Sequence, residues 1–183
     1  MNVSGSRYSV TVLGAVSHEN ESFYTWSEER LTADHGISLL RALQDEFDGK
    51  ILVLVDRAPY FYAKDLWEFV GGDRETEFVD DTAVERVVGD SLQLWYFPPH
   101  APELNPVEGC WDQLESWFNF RLVTELDQLK SLLKTAFETI DPPNISTCLC
   151  PRLYSPSNVC LAIPCRRREF SGRFIRLSSL IVV

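Results

Sequence analysis

Apolar residues recur along this chain with two different periods, and the switches between them mark out strands and helices. Tyr8, Val10 and Val12 alternate with other residues and predict a strand over Tyr8–Val16, its alternation broken at Gly14. After the polar turn His18-Glu19-Asn20-Glu21, Phe23, Tyr24 and Trp26 predict a second, aromatic strand. Ile37, Leu40, Leu43 and Phe47 fall at helical spacing, and Asp48-Gly49 ends that helix. Ile51–Val55 is an unbroken apolar run bounded by Lys50 and Asp56, the pattern of a strand covered on both faces. Ala63–Val70 reads as a short helix stopped by Gly71-Gly72, and Asp73–Asp90 as a polar, acidic surface insertion. Leu92–Phe97 is a further strand, closed by Pro98-Pro99. Two helices follow. Val107, Trp111, Leu114 and Phe118 form the stripe of the first, from Pro106 to about Leu122. Leu126, Leu129, Leu133, Phe137 and Ile140 form that of the second, from Glu125 to Ile140, where Asp141-Pro142-Pro143 terminates it.

Strands followed by alternating helices and strands predict an α/β domain with helices packed against a mixed sheet. The 183 residues suit one compact domain, and 45% hydrophobic content excludes wholesale disorder. No apolar run approaches the length of a membrane span; the best, Ile51–Val55 and Leu180–Val183, are short. A soluble, cytoplasmic protein is the expectation.

Charge divides the chain. Residues 1–150 carry 26 acidic against 11 basic side chains, whereas residues 151–183 carry six arginines against the single acid Glu169. The acid-rich, lysine-poor body suits a protein kept soluble by self-repulsion, as in a salt-loving host, or an ordinary acidic cytosolic protein. Beyond Cys150 the periodicity fades, and Arg166-Arg167-Arg168 with Arg173 and Arg176 fits either phosphate contact or an unselected tail. Residues 1–150 are therefore read as one domain and 151–183 as an unrelated or frameshifted basic tail. Cys110, Cys148, Cys150, Cys160 and Cys165 lack paired zinc spacing and are expected to be free thiols or buried small groups.

Two carboxylates stand out. Asp56 closes the buried strand Ile51–Val55, at the end where open α/β sheets place ligand-contacting groups. It also fits a strand-end residue turning into the Arg57-Ala58-Pro59 loop. Glu108 lies at a helix start in which Asn105 is the N-cap and Pro106 the first helical residue. Asn followed three residues later by Glu is also a capping-box pattern, and capping does not exclude metal binding. The aromatic residues Tyr96, Phe97, Trp111, Trp117 and Phe118 fit base stacking, but their strand and helix spacing favours a core role.

In context these segments have a family look. Pro98-Pro99-His100-Ala101-Pro102-Glu103-Leu104-Asn105-Pro106-Val107-Glu108, with Trp111 three residues on, resembles the signature around the last catalytic acid of mariner-like insertion-sequence transposases of the DDE type. Leu52-Val53-Leu54-Val55-Asp56-Arg57-Ala58-Pro59 resembles the same family's second-acid strand, where Asn usually follows the Asp. The resemblance covers roughly residues 7–150. It implies an RNase H-like fold and metal-dependent DNA cleavage and strand transfer at transposon ends. Three carboxylates would hold two Mg²⁺ or Mn²⁺ ions, since hard cations take oxygen ligands. Asp56 carries over to the second acid and Glu108 to the third. The implied partners are transposon-end DNA and an intact transposase or a second copy.

Several positions depart from the pattern. The family's first Asp lies on a central strand upstream of Tyr8–Val16, so the expected sheet lacks that strand and the copy is expected to be inactive. Arg57 replaces the usual Asn, Tyr60-Phe61-Tyr62 lacks the common His, and Glu115 falls where Lys is frequent. A non-catalytic module that pairs with an intact transposase is the alternative reading.

Overall fold

The computed structural model describes residues 9–17, 21–79, 82–99, 104–119, 121, 123–141 and 175–182, with residues 79, 82 and 175–182 described by backbone alone. In chain order the elements are β1 (Val10–Ser17), β2 (Ser22–Ser27), α1 (Ala33–Glu46), β3 (Ile51–Val55), a 3₁₀ turn (Pro59–Tyr62), α2 (Lys64–Val70), β4 (Arg74–Val79), β5 (Thr82–Val88), β6 (Leu92–Tyr96), α3 (Val107–Phe118), α4 (Leu126–Thr139) and β7 (Ile175–Val182). The strands form one mixed sheet in the order β2-β1-β7-β3-β6-β5-β4.

Alternation along the strands sends side chains to opposite faces, and each face has its own helix layer. Leu13 and Ala15 of β1, Val53 and Val55 of β3, and Leu92, Leu94 and Tyr96 of β6 are buried with Leu39, Leu40 and Leu43 of α1 and Leu66 of α2. On the other face Val10, Val12 and Val16 of β1 join Val107, Trp111 and Leu114 of α3 and Leu129, Leu133 and Phe137 of α4. The unbroken apolar run of β3 follows from this double cover: Val53 and Val55 face the α1–α2 layer, while Leu54 packs into the α3–α4 layer.

Gly14 does not end β1. The strand continues to Ser17, and a Cβ at Gly14 would lie 2.5 Å from the tip of the Trp111 ring. The glycine that interrupts the alternation is the seat of an indole from the facing helix. Helix α1 begins at Ala33, before the first apolar residue of its periodic stripe, because Thr32 caps it. The Thr32 hydroxyl lies 3.0 Å from His35 Nδ1, which also receives the Thr32 N–H. Helix α2 stops where its sequence said it would, with Gly71 in the left-handed region at φ 90°.

Two segments add strands that periodicity alone did not show. Asp73–Asp90, read as a surface insertion, contains the antiparallel hairpin β4–β5, which extends the sheet beyond β6. The stretch beyond residue 150, read as a separate tail, supplies β7. That strand runs parallel to β1 from Val10↔Ile175 to Ser17↔Val182, and antiparallel to β3 over Val53↔Val182, Leu54↔Ile181 and Val55↔Leu180. The position between β1 and β3, expected to lack its strand, is thus occupied by the distal apolar run of the chain. Residues 142–174, which include Arg166–Arg168 and the cysteines Cys148, Cys150, Cys160 and Cys165, lie outside the described residues.

Candidate functional site at the end of strand β3

Asp56 follows directly on β3 and is half-buried. Its Oδ1 accepts a hydrogen bond from the Ala58 N–H at 3.0 Å, a side-chain turn that fixes the carboxylate at the strand end. This is the loop-turning role that the sequence offered beside the ligand role.

Glu108 is exposed in the first turn of α3. Asn105 is buried at 5% exposure, and its Oδ1 accepts from the Val107 N–H at 3.2 Å. The Glu108 N–H donates to the Asn105 carbonyl at 3.1 Å. The helix opens one residue later than expected, at Val107, while Asn105 still satisfies a first-turn donor as the sequence predicted.

Phe97 ties the end of β6 to the end of β3. Its N–H donates to the Val55 carbonyl at 2.9 Å and its own carbonyl accepts from Arg57 Nε at 2.8 Å, so it is bonded to residues on both sides of Asp56. Its ring belongs to the buried cluster that holds Val107, the neighbour of Glu108, with Leu104 packed against it. Among the described residues no group of three or more His, Cys, Asp or Glu side chains is placed to hold a metal ion. His100 and Glu103 of the proline-rich segment lie outside the described residues.

A polar network beside Asp56 escaped the sequence reading. Arg57 Nη1 donates to the Tyr62 hydroxyl at 3.1 Å and to Glu85 Oε2 at 3.2 Å, and the Tyr62 hydroxyl donates to the same Glu85 oxygen at 3.0 Å. Burial, and then the bond to Glu85, push the Tyr62 hydroxyl up to about 12, with Arg57 acting in the opposite direction. Arg74 stands over the rings of both Tyr62 and Trp67, at 5.4 and 5.5 Å. Beneath them Tyr96 stacks on Tyr62, and its hydroxyl donates to the Phe61 carbonyl. Arg57 was visible as a departure from the family pattern, but its partner Glu85 lies in the segment read as a surface insertion.

A family model described as DDE superfamily endonuclease matches residues 1–130. The chain belongs to that family. Its mixed sheet with helices on both faces is an RNase H-like arrangement. The matched span runs from the N-terminal residues into α4 and leaves β7 outside. No curated protein and no solved structure matches the chain. DDE endonucleases act on DNA and generally use divalent metal ions. Asp56 and Glu108 offer the hard oxygen donors such ions require. Among the described residues neither belongs to a group of three or more His, Cys, Asp or Glu side chains placed to hold a metal ion.

The remaining candidates have structural roles. Tyr96, Phe97 and Trp111 are buried, and Trp117 and Phe118 pack against the α3–α4 cluster, so all five aromatic residues serve the core as their spacing indicated. Cys110 is buried, and burial alone pushes its thiol up to about 12. A thiol so placed behaves as a small apolar group. Among the described residues no helix is long and apolar enough to cross a membrane.

Proposed function

We infer that this chain is the nuclease-type domain of a mariner-like insertion-sequence transposase, acting on transposon-end DNA with Mg²⁺ or Mn²⁺, in a copy of low intrinsic activity. The family match over residues 1–130 carries this reading. Asp56 directly after β3 and Glu108 in the first turn of α3 stand on the elements where the resemblance expects the second and third acids, which supports it. Asp56 and Glu108 are the proposed metal ligands. In two-ion phosphoryl transfer the metals generate the nucleophile and stabilise the leaving oxygen. Two carboxylates hold two hard cations weakly, so the isolated chain is expected to cleave little. The acidic, lysine-poor body fits a host of high salt, where screening weakens repulsion between the protein and DNA.

The test is a nicking assay on transposon-end DNA with Mg²⁺ and with Mn²⁺, using Asp56→Ala as control. Cleavage at background level by both proteins agrees with the reading of low activity. Strong cleavage abolished by Asp56→Ala would show that another group completes the site. Strong cleavage that survives the substitution would overturn the assignment of Asp56. A second reading is a non-catalytic module that pairs with an intact transposase. Co-purification with a full-length relative would support it, and a chain that stays monomeric beside that relative would count against it.

A further inference from the structure

Arg57 is the cation nearest in sequence to the proposed ligand Asp56, in a chain of net charge −10. Its side chain is 29% exposed, and the Glu85 side chain that holds it is 22% exposed, so the pair is accessible from solvent. Arg74 lies over the Tyr62 ring whose hydroxyl Arg57 bonds, so two guanidinium groups meet one aromatic side chain beside the strand end. Glu85 is brought in from outside the parallel β3–β6 pair, on the hairpin strand β5.

We propose that Arg57 is a phosphate-backbone contact for DNA at this site, and that Glu85 holds its guanidinium in competition with the DNA. The inference rests on the DNA-acting reading above and adds a regulated contact to it. A guanidinium offers a planar fork of donors to carboxylate and to phosphate alike. Arg57 Nε is committed to the Phe97 carbonyl, which fixes the stem, while Nη1 is shared between Tyr62 and Glu85. Exchanging the Glu85 oxygen for a phosphate oxygen therefore requires a change of partner at the tip with the stem left in place. The competition is between two exposed charge pairs, so it weakens with salt together with the DNA contact itself.

The experiment measures binding of a fluorescein-labelled, mixed-sequence DNA duplex to the full chain across a salt series, in chelator so that cleavage and metal binding play no part. Glu85→Gln is expected to tighten binding about three- to tenfold at low salt and to steepen the salt slope by about 0.9, the value for one added phosphate contact. Asp90→Asn, which removes the same charge at an exposed site away from Arg57, should leave the slope unchanged. Adding Arg57→Gln to Glu85→Gln should abolish the gain. Tyr62→Phe removes the other partner of Nη1, keeps the ring beneath Arg74, and gives a second route should Glu85→Gln fold poorly; a smaller shift in the same direction is expected.

An equal gain from Asp90→Asn, or a gain that survives loss of Arg57, overturns the proposal and leaves the DNA-acting reading intact. Failure of every variant to bind duplex at any salt overturns both. Tighter binding by Glu85→Gln without nicking activity supports the proposal whatever becomes of the catalytic assignment.

Discussion

The sheet carries an antiparallel hairpin at each end, and the two are held by different physics. At one end β1–β2 lies between helix layers: Leu13 and Ala15 are buried toward α1, Val12 and Val16 toward α3 and α4, and Tyr24 of β2 stacks on Phe137 at 3.9 Å. At the other end the described residues of β4 are all exposed, and Phe78 keeps 72% of its surface in solvent. That hairpin is tied down by charge and ring contacts, with Arg86 bridging to Glu77 at 2.7 Å and Arg57 to Glu85 at 3.2 Å. Apolar burial fixes the first hairpin through many weak contacts that cannot be exchanged one at a time. The second is anchored by Val87 of β5 in the core, and its remaining ties are a few polar contacts that another ligand can replace. The exchangeable end is the one that reaches the candidate site.

The comparison can be broken most severely at the packed end. Leu13→Ala should destabilise the fold by about 2–5 kcal/mol, the cost of a buried leucine and its cavity, read as a shift in the denaturant midpoint at unchanged slope. A shift below about 1 kcal/mol would mean that the hairpin is not held by burial. Gly14→Ala should cost about 1–3 kcal/mol, because the new methyl group meets the tip of the Trp111 ring at 2.5 Å and the buried indole must shift. The indole should then move, which near-ultraviolet circular dichroism would record. At the polar end Glu85→Gln should cost less than about 1 kcal/mol, since its ion pair with Arg57 is partly exposed. Phe78→Ser should change stability by no more than about 0.5 kcal/mol and should reduce self-association on concentration, read by light scattering.

The Glu85–Tyr62 contact also sets a pH dependence whose sign is fixed. The Tyr62 hydroxyl titrates near 10 when unfolded and near 12 in the fold. A raised folded-state value means the protonated form is the one the fold stabilises, so this contribution is complete below pH 10 and is lost as pH rises toward 12. Tyrosinate absorbance should lose one late-titrating tyrosine in Tyr62→Phe, while Tyr24 and Tyr96, also raised by burial, remain. In Glu85→Gln Tyr62 should titrate earlier, since the acceptor that favours its protonated form has lost its charge.

Local signals located the elements that carry Asp56 and Glu108 and little of the polar network beside Asp56. Asn105-Pro106 marked the start of α3 because capping is settled within one helical turn, and Val107 donates to Asn105 as that motif requires. Ile51–Val55 marked the strand that presents Asp56, because an apolar run between charged residues has few ways to be buried. The partner of Arg57 was not legible. Glu85 is 28 residues away along the chain, on a strand whose polar pattern resembles that of a loop. Gly14 was misleading for a related reason: a glycine in a strand signals either a break or a close approach, and Trp111 of a distant helix decides which.

By itself the sequence determined the period of the helices and of β1, β2, β3 and β6, the ends of β3, the capping residue of α3, the core role of the five aromatic residues singled out, and the family signature around Asp56 and Glu108. Those properties depend on neighbours within a few residues, where backbone geometry and side-chain polarity leave few choices. Only the tertiary structure decided that β7 enters between β1 and β3, that the acidic insertion extends the sheet as a hairpin, and that Arg57 is held by Glu85. Strand pairing and ion pairing between distant residues depend on which backbone donors and charges the fold brings together, and no local period encodes that choice.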